Sequence, residues 1–230
     1  MLETIARAVA EHGLVVLGSF DVREDESVSL PELSWSDGSF PRSMVLVGAA
    51  GSTFWQNYAG SVEFCDGLPD PLDRWSRRIG DTIASRLDAM AVYPFGVDPP
   101  HPFLRWAHLA RESQPSLIGM FIHREFGLWH AYRFGLAMRQ RLDHQQSEPV
   151  GDICARCVSQ PCLSACPVDA FASRAFGVRG CATHLTEDDA CECAAGGCLS
   201  RRACPVGAQY RYVPDHARFH MQAFARSWTS

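Results

Sequence analysis

The sequence predicts an α+β protein built in two parts, and three observations carry that reading. Short apolar runs alternate with amphipathic stretches over roughly the first two thirds of the chain, the pattern of strands mixed with helices. Nine of the ten cysteines lie between Cys154 and Cys204, a window of 51 residues. A polar segment holding Pro149 and Gly151, over 143–152, lies just ahead of that window and reads as a linker. The expected organisation is therefore a sheet domain over 1–145, a cysteine domain over 150–215 and a tail over 216–230.

The elements of the first part follow in order. Leu2, Ile5, Ala6, Val9 and Ala10 recur at helical spacing. The runs 14–20 (LVVLGSF) and 44–49 (MVLVGA) read as buried strands, and the polar stretch 21–42 between them reads as a long loop. Asp70-Pro71 reads as an N-cap followed by proline at the first helical position. The helix it opens is expected to run to about Ala89, with Leu72, Trp75, Ile79, Ile83 and Leu87 on one face. Residues 91–97 (AVYPFGV) suit an edge strand because Pro94 cannot donate to a ladder. Residues 102–110 read as a short helix. The stretches 117–123 and 128–138 are expected to form a hairpin turning at Gly127, which supplies positive φ. The glycine-rich 47–52 reads as a plain turn before it reads as a phosphate cradle, because it lacks the full dinucleotide fingerprint.

Composition bounds the function. The chain is 47% hydrophobic and 20% charged, which excludes global disorder. Its 21 basic and 26 acidic side chains leave −5, against nucleic-acid binding through bulk charge. No apolar run is long enough for a membrane helix, and MLETIARAVAEHG does not read as a signal peptide. A cytoplasmic location with reduced thiols is the expectation.

The cysteines carry the chemistry. Cys154-x2-Cys157-x4-Cys162-x3-Cys166-Pro167 is followed by Cys191-x-Cys193-x4-Cys198-x5-Cys204-Pro205, and CLSACPVDAF and CLSRRACPVGAQY read as a duplication. Closely spaced thiolates followed by a Cys-Pro pair suit two [4Fe-4S] clusters, with the proline-flanked cysteine serving the opposite cluster. The first set is then Cys154, Cys157, Cys162 and Cys204. The second is Cys166, Cys181, Cys198 and one of Cys191 and Cys193, with Cys193 preferred because Cys193-x4-Cys198 repeats the Cys157-x4-Cys162 spacing. Zinc held by cysteine knuckles with His184 is the competing metal reading. With few apolar residues of its own, this part is expected to fold around its metal.

Two resemblances sharpen these readings. The stretches DPLDRWSRRIG (70–80), PPHPFLRWAHLA (99–110) and IHREFGLWHAYRFGL (122–136) resemble the cobalamin-processing protein deficient in the type C form of methylmalonic aciduria. That likeness implies a nitroreductase-like mixed sheet holding a corrinoid (cobalamin) or, less readily, FMN, with His123, Phe126, Gly127 and Trp129 on the cofactor side. The cysteine-rich part resembles the C-terminal bacterial ferredoxin-like domain of epoxyqueuosine reductase and reductive dehalogenases, which implies two [4Fe-4S] clusters. Together they lead to an expected iron–sulfur redox protein that passes electrons to a corrinoid in its N-terminal domain. Its partner would be a redox protein or a small electron acceptor. A ferredoxin-like carrier without an organic cofactor and a flavin reductase are the alternatives.

Overall fold

The structure is a computed structural model that describes residues 1–22, 33–142, 148–172 and 176–229. Of the expected loop over 21–42, residues 23–32 lie outside the described residues, as do 143–147 of the expected linker. The chain divides into two compact units: Met1–Ser113 with Ala131–Pro149, and Gln114–His130 with Val150–Ser230. Residues 114–130 thus group with the cysteine-rich part, because Ile118, Ile122 and Leu128 share a buried cluster with Ile153 and Cys204.

The first unit opens with α1 (Leu2–Ala10), which buries Ile5 and Val9. Strands β1 (Val15–Asp21) and β2 (Ser43–Ala50) pair antiparallel, with a bulge between Val16 and Gly18. Two short helices, α2 (Trp55–Ala59) and α3 (Val62–Cys65), lead to α4 (Pro71–Arg86), which buries Leu72, Trp75, Ile79 and Ile83. Proline does occupy the first turn of α4. Asp70, however, adopts φ 50° and makes no side-chain cap, so the expected N-cap bond is absent. Strand β3 (Ala89–Val92), α5 (Phe103–Leu109), β4 (Ser113–Pro115), β5 (Phe121–His123) and β6 (His130–Met138) follow.

The main sheet has the order β1-β2-β6-β3, with β3 and β6 antiparallel. All eight residues of β2 are buried, as a strand covered on both faces requires. The expected hairpin of 117–123 with 128–138 does not form. Strand β5 pairs with β4, β6 lies between β2 and β3, and a single bridge joins His123 to Gly127. The reason lies in the apolar content of β6: Phe134, Leu136, Ala137 and Met138 are all buried, which a two-stranded hairpin cannot achieve. The glycine-rich 47–52 is strand and turn. A Cβ on Gly48 would run into the backbone carbonyl of Ala131, so this glycine serves close packing.

In the second unit a 3-10 turn (Pro161–Leu163) is followed by α6 (Val178–Glu187), α7 (Glu192–Gly196), α8 (Leu199–Ala203) and α9 (Pro214–Thr229). Among the described residues from 148 onward there is no β-strand, so the expected ferredoxin-like domain is not what the fold shows. The tail is the helix α9, packed on α6 and α7, with Phe224 and Ala225 against Phe176 and Leu185. No described helix is long and apolar enough to cross a membrane.

Candidate functional site

The candidate residues lie in the second unit and form two neighbourhoods. The first is the turn after β5. His123 is 4% exposed, and its Nδ1 accepts the backbone N–H groups of Glu125 (3.1 Å) and Phe126 (3.3 Å). A neutral imidazole that accepts at Nδ1 carries its proton on Nε2, so the ring offers no lone pair to a metal in this state. Phe126 stacks on the His123 ring at 4.6 Å and meets Tyr210 edge-on at 4.9 Å, while the Tyr210 hydroxyl donates to Glu125 (2.9 Å).

Gly127 stands at φ 56° against the backbone of Val206, and Gly207 at φ 69° against the backbone of Phe126. Two turns meet here with no Cβ between them. Trp129 is 2% exposed and is faced by Tyr212 at 5.2 Å. Its indole N–H makes no hydrogen bond among the described residues.

Sequence reasoning missed two side chains of this neighbourhood. His130 bonds through Nδ1 to the Gly127 carbonyl (3.1 Å), and burial pushes its pKa down to about 3, so the ring is neutral at ordinary pH. Arg201 is half-buried. Its guanidinium sits in the corner formed by the nearly perpendicular rings of Trp129 (4.5 Å) and Tyr212 (4.3 Å) and donates twice to the Leu128 carbonyl (2.9 and 2.6 Å). A single arginine set against two aromatic rings leaves no sequence pattern, since Leu128 and Trp129 lie far from it along the chain.

The second neighbourhood is the cysteines, which the structure sorts into two groups. Cys162 lies within electrostatic reach of Cys204, Cys154 and Cys157; burial first, then these neighbours, pushes its thiol up. Cys204 shifts the same way, from burial and then Cys154 and Cys157. In the other group burial, then Cys198, Cys166, Cys193 and Cys191, pushes the Cys181 thiol up to about 12. Cys166, Cys181, Cys193 and Cys198 line one cleft with His184 and Met221. Cys191 is not in that lining: its sulfur caps α7 by accepting the Ala194 N–H (3.4 Å).

The cysteine of each Cys-Pro pair therefore sits with the sulfurs of the other segment. The duplication persists locally as well, because Asp169 and Gly207, three residues after Cys166 and Cys204, both take positive φ. Low polarity and mutual repulsion keep these shifted thiols protonated.

The comparisons with known proteins bear on the fold. No protein-family model and no curated protein matches the chain. The crystal structure of a C. elegans B12-trafficking protein, CblC, described as a human MMACHC homologue, matches 98% of this chain and 93% of its own, with TM-score 0.52 and 14% identity. The two chains share a fold. That fold is mixed α+β with an antiparallel sheet.

This likeness corrects the functional expectation. The iron–sulfur electron carrier feeding a corrinoid does not stand: the fold is shared with a B12-trafficking protein. Nor do three or more His, Cys, Asp or Glu groups converge on one metal position among the described residues. Spacing along the chain counts sulfurs without stating their separation in space. The closed packing of His123, Phe126, Gly127 and Trp129 also bears on a corrinoid. As they stand, these residues are filled by the protein's own Tyr210, Val206 and Tyr212 and do not form an open cradle for a macrocycle.

Proposed function

We propose that this chain binds a corrinoid of the cobalamin class and serves in its handling. The observation that carries the proposal is the fold correspondence with a B12-trafficking protein over 98% of the chain. The sequence likeness of 70–80, 99–110 and 122–136 to the cobalamin-processing family supports it, and a nitroreductase-like character for the main sheet goes with it. Corrinoid binding is assigned to the fold and not to His123, whose Nδ1 is committed to its own turn.

Hydroxocobalamin added to the full chain is the test, with FMN as the competing probe. Saturable binding of one equivalent, with displaced visible bands and cobalt retained through gel filtration, is the expected result. No spectral change and no retained cobalt would overturn the proposal.

The two thiol groups support a second, separate reading with no electron-transfer role. Cys154, Cys157, Cys162 and Cys204 on one side, and Cys166, Cys181, Cys193 and Cys198 on the other, are proposed as donors to thiophilic metal. A bound cation would favour the thiolates of Cys162 and Cys181, whose thiols are pushed up by burial first and by neighbouring sulfurs second. Metal analysis of anaerobically purified protein tests this. Cys198→Ser and Cys204→Ser should each remove part of the bound metal, and protein that is metal-free as isolated and takes up none refutes it.

A further inference from the structure

Helix α9 carries His216 and His220 one turn apart, and the structure brings their ring nitrogens within hydrogen-bond distance of each other. Their Nε2 atoms are 3.0 Å apart. His216 is fully buried, and the Tyr212 ring stacks on it at 3.8 Å and 22°, which fixes its plane. His220 is half-buried, held edge-on by Phe219 at 5.4 Å, so the pair has one sealed member and one that solvent reaches. Residues four apart share a helix face, which is how a helix presents two imidazoles to one ion.

We infer that His216 and His220 form a binding site for a divalent transition-metal ion, with Ni²⁺ or Cu²⁺ preferred over Zn²⁺. Geometry sets the preference. With metal–nitrogen bonds of about 2.05 Å, two nitrogens 3.0 Å apart subtend about 94° at the metal. That is the cis angle of square-planar or octahedral coordination, which Cu²⁺ and Ni²⁺ adopt with imidazole ligands. A tetrahedral ion would need the nitrogens about 3.3 Å apart, and Tyr212 resists the opening of that angle on the His216 side. Two imidazoles leave the remaining positions to water or to an exchangeable ligand, since no third protein donor converges among the described residues. The competing occupant of the same geometry is a proton shared between the two rings. The inference is independent of corrinoid binding and uses none of the cysteines.

Full-length protein, ¹⁵N-labelled at histidine, is titrated anaerobically with Ni²⁺ alone, beside His220→Gln and a surface control, His108→Gln. Bound Ni²⁺ should selectively perturb two imidazoles in the wild type and in His108→Gln, by paramagnetic broadening where water completes an octahedron and by a shift of both signals where the ion is square-planar and diamagnetic. Both should retain one more equivalent of Ni²⁺ than His220→Gln, whatever the thiols bind in all three. Equal Ni²⁺ uptake in the three proteins, with the His216 and His220 signals untouched, means a shared proton only and overturns the inference. If His220→Gln does not fold, the imidazole spectrum of the wild type with Ni²⁺ decides by itself.

Discussion

The contact of Gly127 with Gly207 invites a double-mutant cycle. Each residue has positive φ, and a Cβ on either would point into the backbone of the opposite turn: from Gly127 into the Val206 carbonyl, from Gly207 into that of Phe126. A non-glycine residue in the left-handed region costs roughly 1–2 kcal/mol. Forcing a methyl into packed backbone costs about 1–3 kcal/mol more. Gly127→Ala and Gly207→Ala should therefore each destabilise by about 2–5 kcal/mol, a large share of the usual 5–15 kcal/mol.

The overlap portion of that cost is common to both changes, because one separation of the turns accommodates both methyls. The double variant should thus cost about 3–7 kcal/mol, less than its parts together by about 1–3 kcal/mol. Urea unfolding followed by far-UV circular dichroism measures all three. Either single variant within 0.5 kcal/mol of wild type, or strict additivity in the double, would refute the close approach of the two turns.

Three further outcomes are expected. The Arg78 guanidinium bonded to Glu63 (2.5 and 3.0 Å) holds that carboxyl at about 2, well below its ordinary range. The resulting stability is present above about pH 4.5 and lost as pH falls toward 2. Glu63→Gln should cost about 1–2 kcal/mol at pH 7, discounted for the exposed guanidinium, and should flatten the acid limb of a urea-midpoint series. His130 runs on the same linkage with a different window. Its folded pKa of about 3 lies below the ordinary 6.5, so the unfolded chain binds the proton first. Stability should fall below pH 6.5 by up to about 1.4 kcal/mol per pH unit, and His130→Gln should reduce that slope; an unchanged slope contradicts the buried neutral ring. Arg201→Lys keeps the charge but loses the fork onto Leu128 and the guanidinium contacts with the Trp129 and Tyr212 rings. It should destabilise by about 1–2 kcal/mol and Arg201→Ala by about 3 kcal/mol, read from urea midpoints.

Much of the sheet was legible because its signals are local. Continuous apolar runs marked β1 and β2, the periodicity of Leu72, Trp75, Ile79 and Ile83 marked α4, and Pro94 suited the edge position of β3, although that strand is Ala89–Val92 and not the expected 91–97. The partner of β6 was not legible. Adjacency along the chain favours a hairpin, whereas the unbroken burial from Phe134 to Met138, which covers both faces of the strand, demands a central place, and only the assembled sheet supplies it. The site divides in the same way. His123 and Trp129 could be picked out by residue type, but whether an imidazole ligates or locks a turn depends on where its Nδ1 points. The His-x3-His spacing of α9 acquires meaning only from the structure, which puts the two Nε2 atoms 3.0 Å apart.

By itself the sequence determined composition and order: a mixed α+β chain, a polar join, and nine sulfurs confined to one segment. Those properties are set by neighbours along the chain, through hydrophobic period, proline and glycine. Tertiary structure alone decided that Arg201 lies over the rings of Trp129 and Tyr212, that the His123 Nδ1 is taken up by its own turn, and that β6 sits inside the main sheet. The physical reason is that enclosure, convergence of donors and a shift in proton affinity are properties of distance in space. Folding sets those distances by bringing together groups far apart in sequence, such as Leu128 and Arg201.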